Sequence, residues 1–573
     1  MKIFKKYFQL IYRFLIYNTI ISDKLHYTRL QIVAVVFLFA YLAIGFRLIS
    51  IGLDKNKIIE YETQNNETLF VNRANITDRN NILLASNLTT ASLYVNPKII
   101  IDHDEAANKL CEIFPELNYE QLVKDFKSNK NFMWIKRNLT PKEQFQVNNL
   151  GLPGLFFEKG EKRVYPHGNL LSHVLGYVGL DGKGLAGIEK YFDEKLISLN
   201  TKELKSLQLS IDVRAQNILH EELNWAMEEY KAIGAIGVII DANNGEVISS
   251  VSLPDFDPHN PGTATSEQLF NRFSLGLYEP GSTFKSYTIA MALDSGAVNI
   301  NDSYDVNAPI RVARFSITDY HAKGGWMSVP EIFMYSSNIG TAKISLDLGK
   351  KKQQSLLKLY GLLEPLNIEI PEKASPMYPS EARWSDISTM TISYGHGIAV
   401  TPLHLVRTMA AIVNGGYLND ITFIKQAENS KPPIRIIKEK TSDQMRKLFR
   451  LVVREGTGRK ANIDGYVVGG KTGTANKTKK GGYHQNSRMS FFIGAFPINE
   501  PKYVMLVMLD EPKGTKATGG YATGGMTAAP IVGNVISRLG PLLNIPTVDE
   551  NDPAIAEKLW FDFDMVNDAL SSF

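Results

Sequence analysis

Hydrophobic and polar positions fall into three regimes along this chain. From Leu30 to Phe46 no residue is charged and almost all are apolar, a run of about 17 residues at the lower limit for crossing a bilayer as a helix. If Arg47 lifts its charged end toward the headgroups, the run continues to Leu53. From Glu60 to Leu207, short strand-like and helical patterns are broken by polar turns, without repeat or low-complexity tract, and read as a separate module. From Leu207 onward the patterns lengthen.

In that third regime Asp212 stands at an N-cap position before Ala215, Ile218, Leu219, Leu223 and Ala226, which recur at helical spacing. Two apolar runs follow, Ile236 to Ile240 and Val247 to Val251. The Asn244-Gly245 step between them favours the positive φ of a tight hairpin. Arg488 to Phe496 and Tyr503 to Leu509 form a second strand pair around a Pro-Ile-Asn-Glu-Pro turn. Helical patterns dominate from Gly281 to Arg450. Strands early, helices in the middle and strands late predict an α+β domain with an antiparallel sheet and helices packed on it.

Charge orients the first segment. Lys2, Lys5, Lys6, Arg13, Lys24 and Arg29 precede the apolar run against one acid, Asp23, and Asp54, Glu60, Glu62 and Glu67 follow it. The positive-inside rule places residues 1–29 in the cytoplasm and everything past 53 outside, with 30–53 as an uncleaved single-pass anchor. The remaining expected divisions are a first module over 60–207, a larger domain over 208–545 and a tail over 546–573.

Composition narrows the function little. The 573 residues are 44% hydrophobic and 21% charged, with a net charge of +4, which gives no reason to expect a nucleic-acid partner. A single cysteine, Cys111, excludes an intrachain disulfide framework and reads as a structural thiol. No metal cluster or dinucleotide fingerprint is visible, so no cofactor is expected.

The candidate chemistry begins at Glu279-Pro280-Gly281-Ser282-Thr283-Phe284-Lys285, just ahead of a helical run from Tyr287 to Leu293. Proline and glycine put Ser282 at the first helical turn, where free N–H groups favour developing negative charge. Spacing of three places the Lys285 amine on the same face, within reach of the Ser282 hydroxyl, as its proton acceptor. A free lysine is a poor base unless burial or a second cation lowers its pKa.

Two further motifs follow in order, Ser336-Ser337-Asn338 and Lys471-Thr472-Gly473-Thr474. Ser336 can relay a proton between lysines and a leaving group, and the Asn338 amide can hold a substrate amide by donating and accepting together. Lys471 to Thr474 should lie on an edge strand facing the nucleophile, with Gly473 letting an acyl substrate pair with the strand backbone. Lys471 supplies the second cation, and the Thr472 and Thr474 hydroxyls suit a terminal carboxylate. The backbone N–H groups of Ser282 and Thr474 would form an oxyanion hole.

This triple set resembles the signature of penicillin-binding proteins and serine β-lactamases. Arg73 to Ala85, Arg163 to Pro166, His173 to Tyr177 and Gly184 to Asp193 resemble the pedestal motifs of the class B enzymes. Arg383 to Ile387 and Ser393 to Leu405 are most similar to the division-specific, septal peptidoglycan transpeptidases. Ala74 and Asn81 stand where the pedestal motif usually has glycine. The resemblance covers about residues 70 to 540 and implies a transpeptidase domain of the penicillin-binding and β-lactamase fold behind a mixed α/β pedestal. It implies D,D-transpeptidation of D-Ala-D-Ala stem peptides through an acyl-enzyme on Ser282, and covalent inhibition by β-lactams. It also implies an inner-membrane location with the catalytic domain in the periplasm, and partners in a membrane glycosyltransferase and other divisome proteins.

Other outcomes of the same signature are a side-wall transpeptidase, a D,D-carboxypeptidase, an inactive scaffold or β-lactam sensor, and a β-lactamase. A class A lactamase needs a deacylating carboxylate four residues before an asparagine. Glu364-Pro365-Leu366-Asn367 comes one short of that spacing.

Overall fold

In a computed structural model, the protein is described over residues 25–52, 73–198, 206–312, 315–320, 323–426, 433–479 and 482–561. The basic residues before 25, the acidic residues from Asp54 to Glu67 and the end of the tail lie outside these. Residues 1–70 and 71–573 form two units. Among its described residues the first contains the helix Leu25–Gly52, whose side chains are described for residues 33–48 and are mostly apolar and exposed, among them Phe37, Phe39, Leu42 and Phe46. Among the described residues no helix is long and apolar enough to cross a membrane, so the span expected over 30–53 is not established by the structure.

The second unit is built on a five-stranded antiparallel sheet. Its order is Gly469–Lys479, Gly482–Phe496, Tyr503–Asp510, Gly234–Asp241, Val247–Leu253. The late strands therefore close onto the early hairpin, as the pattern predicts. Gly245 carries that hairpin turn at φ +78. Every residue of Tyr503–Asp510 is buried, because the two faces serve two cores. Val504, Leu506 and Met508 point into one, and Met505, Val507 and Leu509 into the other. Such a strand reads as a continuous apolar run rather than an alternating one.

Helices Val213–Glu229 and Ala528–Leu542 cover one face; Asp212 caps the former through the Arg214 N–H. On the other face Pro402–Val413 and Glu439–Arg454 lie against the strands, and Lys285–Asp294 packs on those two helices. Residues Lys285 to Ala292 are all buried, so that helix is enclosed on every side. Among the described residues, three short two-stranded sheets are inserted among the middle helices.

The pedestal has its own sheet, in which Leu83–Val95 pairs with Met133–Leu139, Leu155–Val164 and Asn75–Thr77, and Asn75–Thr77 runs parallel to Ser206–Gln208. Its distal part encloses a separate core around Leu93, Leu110, Phe114 and Phe126. Cys111 is half-buried beside it, its thiol 3.6 Å from Leu117 O. The proximal part is not independent: Ile76, Leu84, Leu175, Ile188 and Leu207 pack into the same core as the catalytic helices. Glu189 is fully buried there between Arg73 and Arg163, at 2.8 and 2.7 Å. Three separate pedestal motifs thus meet at one carboxylate. Asn81 adopts the left-handed φ of +65, which asparagine tolerates. Ala74 donates its N–H to Leu196 O without needing a positive φ.

Candidate active site

Ser282 lies in a 3₁₀ turn, Gly281–Phe284, that runs directly into the enclosed helix beginning at Lys285. The helix thus starts at Lys285, two residues before the Tyr287 that the pattern predicts, and Ser282 and Lys285, three apart, share one face. The turn is held from two sides. Gly281 donates to Gly395 O at 3.3 Å, and the Thr283 hydroxyl donates to Pro280 O at 2.7 Å.

Lys285 does not take the partner expected of it. Its ammonium donates to Ser336 O at 2.5 Å, to Ser336 Oγ at 3.1 Å and to Asn338 Oδ1 at 2.8 Å. Three acceptors satisfy the three N–H bonds of the protonated amine; a neutral amine gives up one and gains a lone pair for an incoming hydroxyl. Burial, then the nearby Lys471, holds the Lys285 pKa well below that of an ordinary lysine, against a smaller upward pull from Asp319. Lys471 donates to Ser336 Oγ at 2.9 Å, and burial lowers its pKa to about 7. Two like charges around one hydroxyl in a dry site disfavour full protonation of both.

Ser336 ends the helix Val329–Tyr335 at φ +62, uncommon for a residue with a Cβ. Ser337 caps the next helix, Asn338–Leu348, accepting from Gly340 N at 2.9 Å. The Asn338 oxygen is taken by Lys285 and one amide hydrogen by Thr318 O at 2.8 Å. A single N–H therefore remains for a substrate, where sequence reasoning expected a donor and an acceptor. Asp319 locks the motif: it accepts from Asn338 N at 2.5 Å, Ile339 N at 3.0 Å and the Ser337 hydroxyl at 2.7 Å. Sequence reasoning missed Asp319, since nothing local marks it.

Lys471, Thr472, Gly473 and Thr474 lie on the edge strand Gly469–Lys479, as the sequence predicts. Gly473 has a different reason for being small. A Cβ there would stand 2.8 Å from Thr283 Cγ2 and 3.1 Å from Pro280 O, so the glycine admits the nucleophile turn itself. The backbone of Thr474 lies against that turn, its oxygen 2.9 Å from where a Gly281 Cβ would be. Thr472 and Thr457 share a hydroxyl hydrogen bond of 2.6 Å, and Thr474 Oγ1 accepts from Gly524 N at 3.2 Å. Gly524, Thr457 and the stretch around Thr523 were not foreseen from sequence.

These groups open on a cleft of about 590 Å³ lined by Ser282, Ser336, Asn338, Thr472, Gly473 and Thr474, among others. His396 also faces it, its pKa lowered to about 4 by burial and then by Lys285, which leaves the imidazole neutral at physiological pH. No Asp or Glu lines the cleft among the described residues. Glu364 lies instead at the surface, 3.6 Å from Lys358. Among the described residues no group of acidic, histidine or cysteine side chains could hold a metal ion.

The arrangement is thus a serine on a helical turn, a buried pair of depressed lysines joined through a second serine, and an edge strand with hydroxyls. It suits nucleophilic acyl transfer without metal ligands. Comparison with known proteins agrees. A family model described as the penicillin binding protein transpeptidase domain matches residues 235–537, and a penicillin-binding protein dimerisation domain matches 68–205. The chain is 37% identical to a probable peptidoglycan D,D-transpeptidase FtsI of Caulobacter vibrioides, over 82% of each chain. It is 33% identical to a probable peptidoglycan D,D-transpeptidase PenA of Neisseria meningitidis, over 86% of this chain and 87% of that one. In fold it is similar to penicillin binding protein 3 of Mycobacterium tuberculosis complexed with aztreonam, with a TM-score of 0.66, 23% identity, and coverage of 83% of this chain and 97% of that one.

Proposed function

The chain belongs to the penicillin-binding protein transpeptidase family, and from that premise we propose that it is a peptidoglycan D,D-transpeptidase of septal cell-wall synthesis, with Ser282 as its nucleophile. The observation that carries this reading is the Lys285–Ser336–Lys471 chain of contacts behind Ser282. Neutral Lys285 takes the Ser282 proton as Oγ attacks the carbonyl carbon of the penultimate D-alanine. The oxyanion is received by the backbone N–H groups of Ser282 and Thr474. The C–N bond then breaks, and the proton reaches the departing D-alanine nitrogen through Ser336. In the second half an amine of a neighbouring strand attacks the ester, loses its proton through the same network, and Ser282 recovers its hydroxyl.

Thr472 and Thr474, with Lys471 behind them, receive the terminal carboxylate, and the remaining Asn338 N–H orients the donor peptide. The absence of a carboxylate along the described cleft favours slow hydrolysis of the acyl-enzyme, hence stable acylation by β-lactams. The exposed apolar side chains of residues 33–48 support a single membrane anchor over 30–53, with residues 1–29 cytoplasmic and the catalytic part periplasmic. The pedestal over 60–207 then serves as the contact surface for a membrane glycosyltransferase and other divisome proteins, and 208–545 carries the reaction. The similarity to proteins named FtsI supports the septal assignment.

Intact-mass spectrometry of the full chain in detergent with benzylpenicillin tests the chemistry. A stable adduct on the parent, absent from Ser282→Ala, is expected. An adduct that survives in Ser282→Ala, or none on the parent, overturns the assignment of the nucleophile, and rapid drug hydrolysis reassigns the chain to the β-lactamases. Depletion in cells should give filaments; rounded cells would place the enzyme in side-wall growth.

A further inference from the structure

Among the described residues Arg488 stands in the cleft without a counterion. It pairs in register with Asn476 across the two strands beside the site, just as Thr474 pairs with Ser490. Opposed residues of an antiparallel pair point to one face, as do positions i and i+2. The side chains of Thr472, Thr474, Asn476 and Arg488 therefore share the face that lines the cleft. These two strands carry no acid, and Asp510 and Glu511 at the end of the neighbouring strand are already engaged: Lys477, on the opposite face, binds them at 2.8 and 3.1 Å. Among the described residues the Arg488 side chain is exposed and makes no hydrogen bond or ion pair. An exposed arginine is ordinarily a solvated surface charge. This one lies in a cleft whose described lining carries Arg459, Lys460 and Arg488 and no carboxylate.

Strand direction says what it would meet, on the transpeptidase reading given above. With the scissile carbonyl at the Thr474 N–H and the terminal carboxylate at the Thr472 end, the rest of the donor peptide runs antiparallel to the strand, toward Asn476. Residues two apart on a strand are separated by about 7 Å. That places Arg488 beside the donor residue that precedes the two D-alanines. A guanidinium presents a planar fork of donors matched to a carboxylate.

We propose that Arg488 is a specificity-determining residue that reads a free side-chain carboxylate on the donor residue preceding D-Ala-D-Ala, and thereby selects acidic donors over amidated ones. The inference concerns recognition alone and adds no chemical step.

The test uses the full chain in detergent, a fixed acceptor amine, and two synthetic donors that differ only in a carboxylate or a carboxamide on that side chain. D-alanine release gives kcat/KM for each, and the ratio within each variant cancels any general loss of activity. The parent should favour the acidic donor about threefold to tenfold, as an exposed but bidentate pair allows. Added salt should shrink the ratio. In Arg488→Gln the ratio should fall to near one, and Arg488→Lys should restore part of it, chiefly through KM. A parent ratio near one, or an undiminished ratio in Arg488→Gln, overturns the inference while leaving the transpeptidase reading intact. Failure of the parent to release D-alanine from either donor, with benzylpenicillin still acylating Ser282, overturns the donor reading and the inference together.

Discussion

Lys285 and Lys471 converge on one oxygen: their side-chain nitrogens lie 3.1 and 2.9 Å from Ser336 Oγ, and both side chains are fully buried. Each lysine makes the other harder to protonate, and burial makes both harder still. The site therefore holds a strong base in its neutral form at the expense of folded-state stability, a trade familiar in active sites.

Replacing Lys471 with methionine should expose both sides of that trade. Without the second cation the Lys285 pKa rises, so less neutral amine is present at pH 7. Acylation by benzylpenicillin, followed by stopped-flow or quenched mass spectrometry, should slow by about 10²-fold or more, and the acid limb of its pH profile should move to higher pH. Stability should respond in the opposite sense. Lys471 titrates at about 7 when folded and at about 10.4 when unfolded, so between those values the unfolded chain binds more protons and stability rises with pH. The parent should gain Tm from pH 7 to 10 more steeply than Lys471→Met. Equal slopes would mean that Lys471 is not depressed.

Asp319 acts through others. It accepts two backbone N–H bonds at the start of the helix Asn338–Leu348 and the Ser337 hydroxyl, and its charge opposes the depression of Lys285. In Asp319→Asn the loss of a charged cap should cost about 1 kcal/mol of stability. The loss of the anion should lower the Lys285 pKa further and move the acid limb of acylation to lower pH. A purely structural role would reduce Tm and leave the pH profile where it was.

The parts of this molecule written into local sequence are those set by spacing. Ser282 and Lys285 share a face because they are three apart on a helical turn, and Asn244-Gly245 makes its hairpin because only such residues enter that turn cheaply. Lys471 to Thr474 could be placed on an edge strand from the glycines and apolar run before it. What sequence did not disclose depends on approach across the fold. Lys285 bonds to the Ser336 loop, more than fifty residues away, rather than to Ser282, and Gly473 is small because Thr283 and Pro280 crowd it. Asp319 reaches the site from a loop with no periodic pattern, and the proximal pedestal shares a core with the catalytic helices although the chain between them reads as a boundary.

Gly473→Ala tests that crowding directly. The added methyl would meet Thr283 Cγ2 at 2.8 Å and Pro280 O at 3.1 Å, and the second of these is backbone that cannot rotate away. The strand and the Ser282 turn must separate by a few tenths of an ångström. Acylation depends on the distance between Ser282 and the Thr474 N–H, so its rate should fall at least about tenfold, as misplacement of catalytic groups commonly costs. Tm should fall by no more than a few degrees. Wild-type acylation in this variant would show that the two elements slide without consequence.

The pedestal offers the largest predicted stability change. Glu189 is completely buried and holds Arg73 through a bond of 3.0 Å to Nε and Arg163 through one of 2.7 Å, while Arg73 also reaches Asp193 at 2.6 Å. Glu189→Ala leaves two buried guanidinium groups facing one partly exposed carboxylate, and removing one partner of a buried ionic cluster costs about 3–5 kcal/mol. Thermal and urea unfolding of the full chain in detergent should register that loss. Because Glu189 sits where the proximal pedestal joins the common core, the loss should appear as a downward shift of the main transition. An early separate transition, with the main one unmoved, would show instead that the pedestal unfolds on its own and that the shared core does not couple it to the catalytic part.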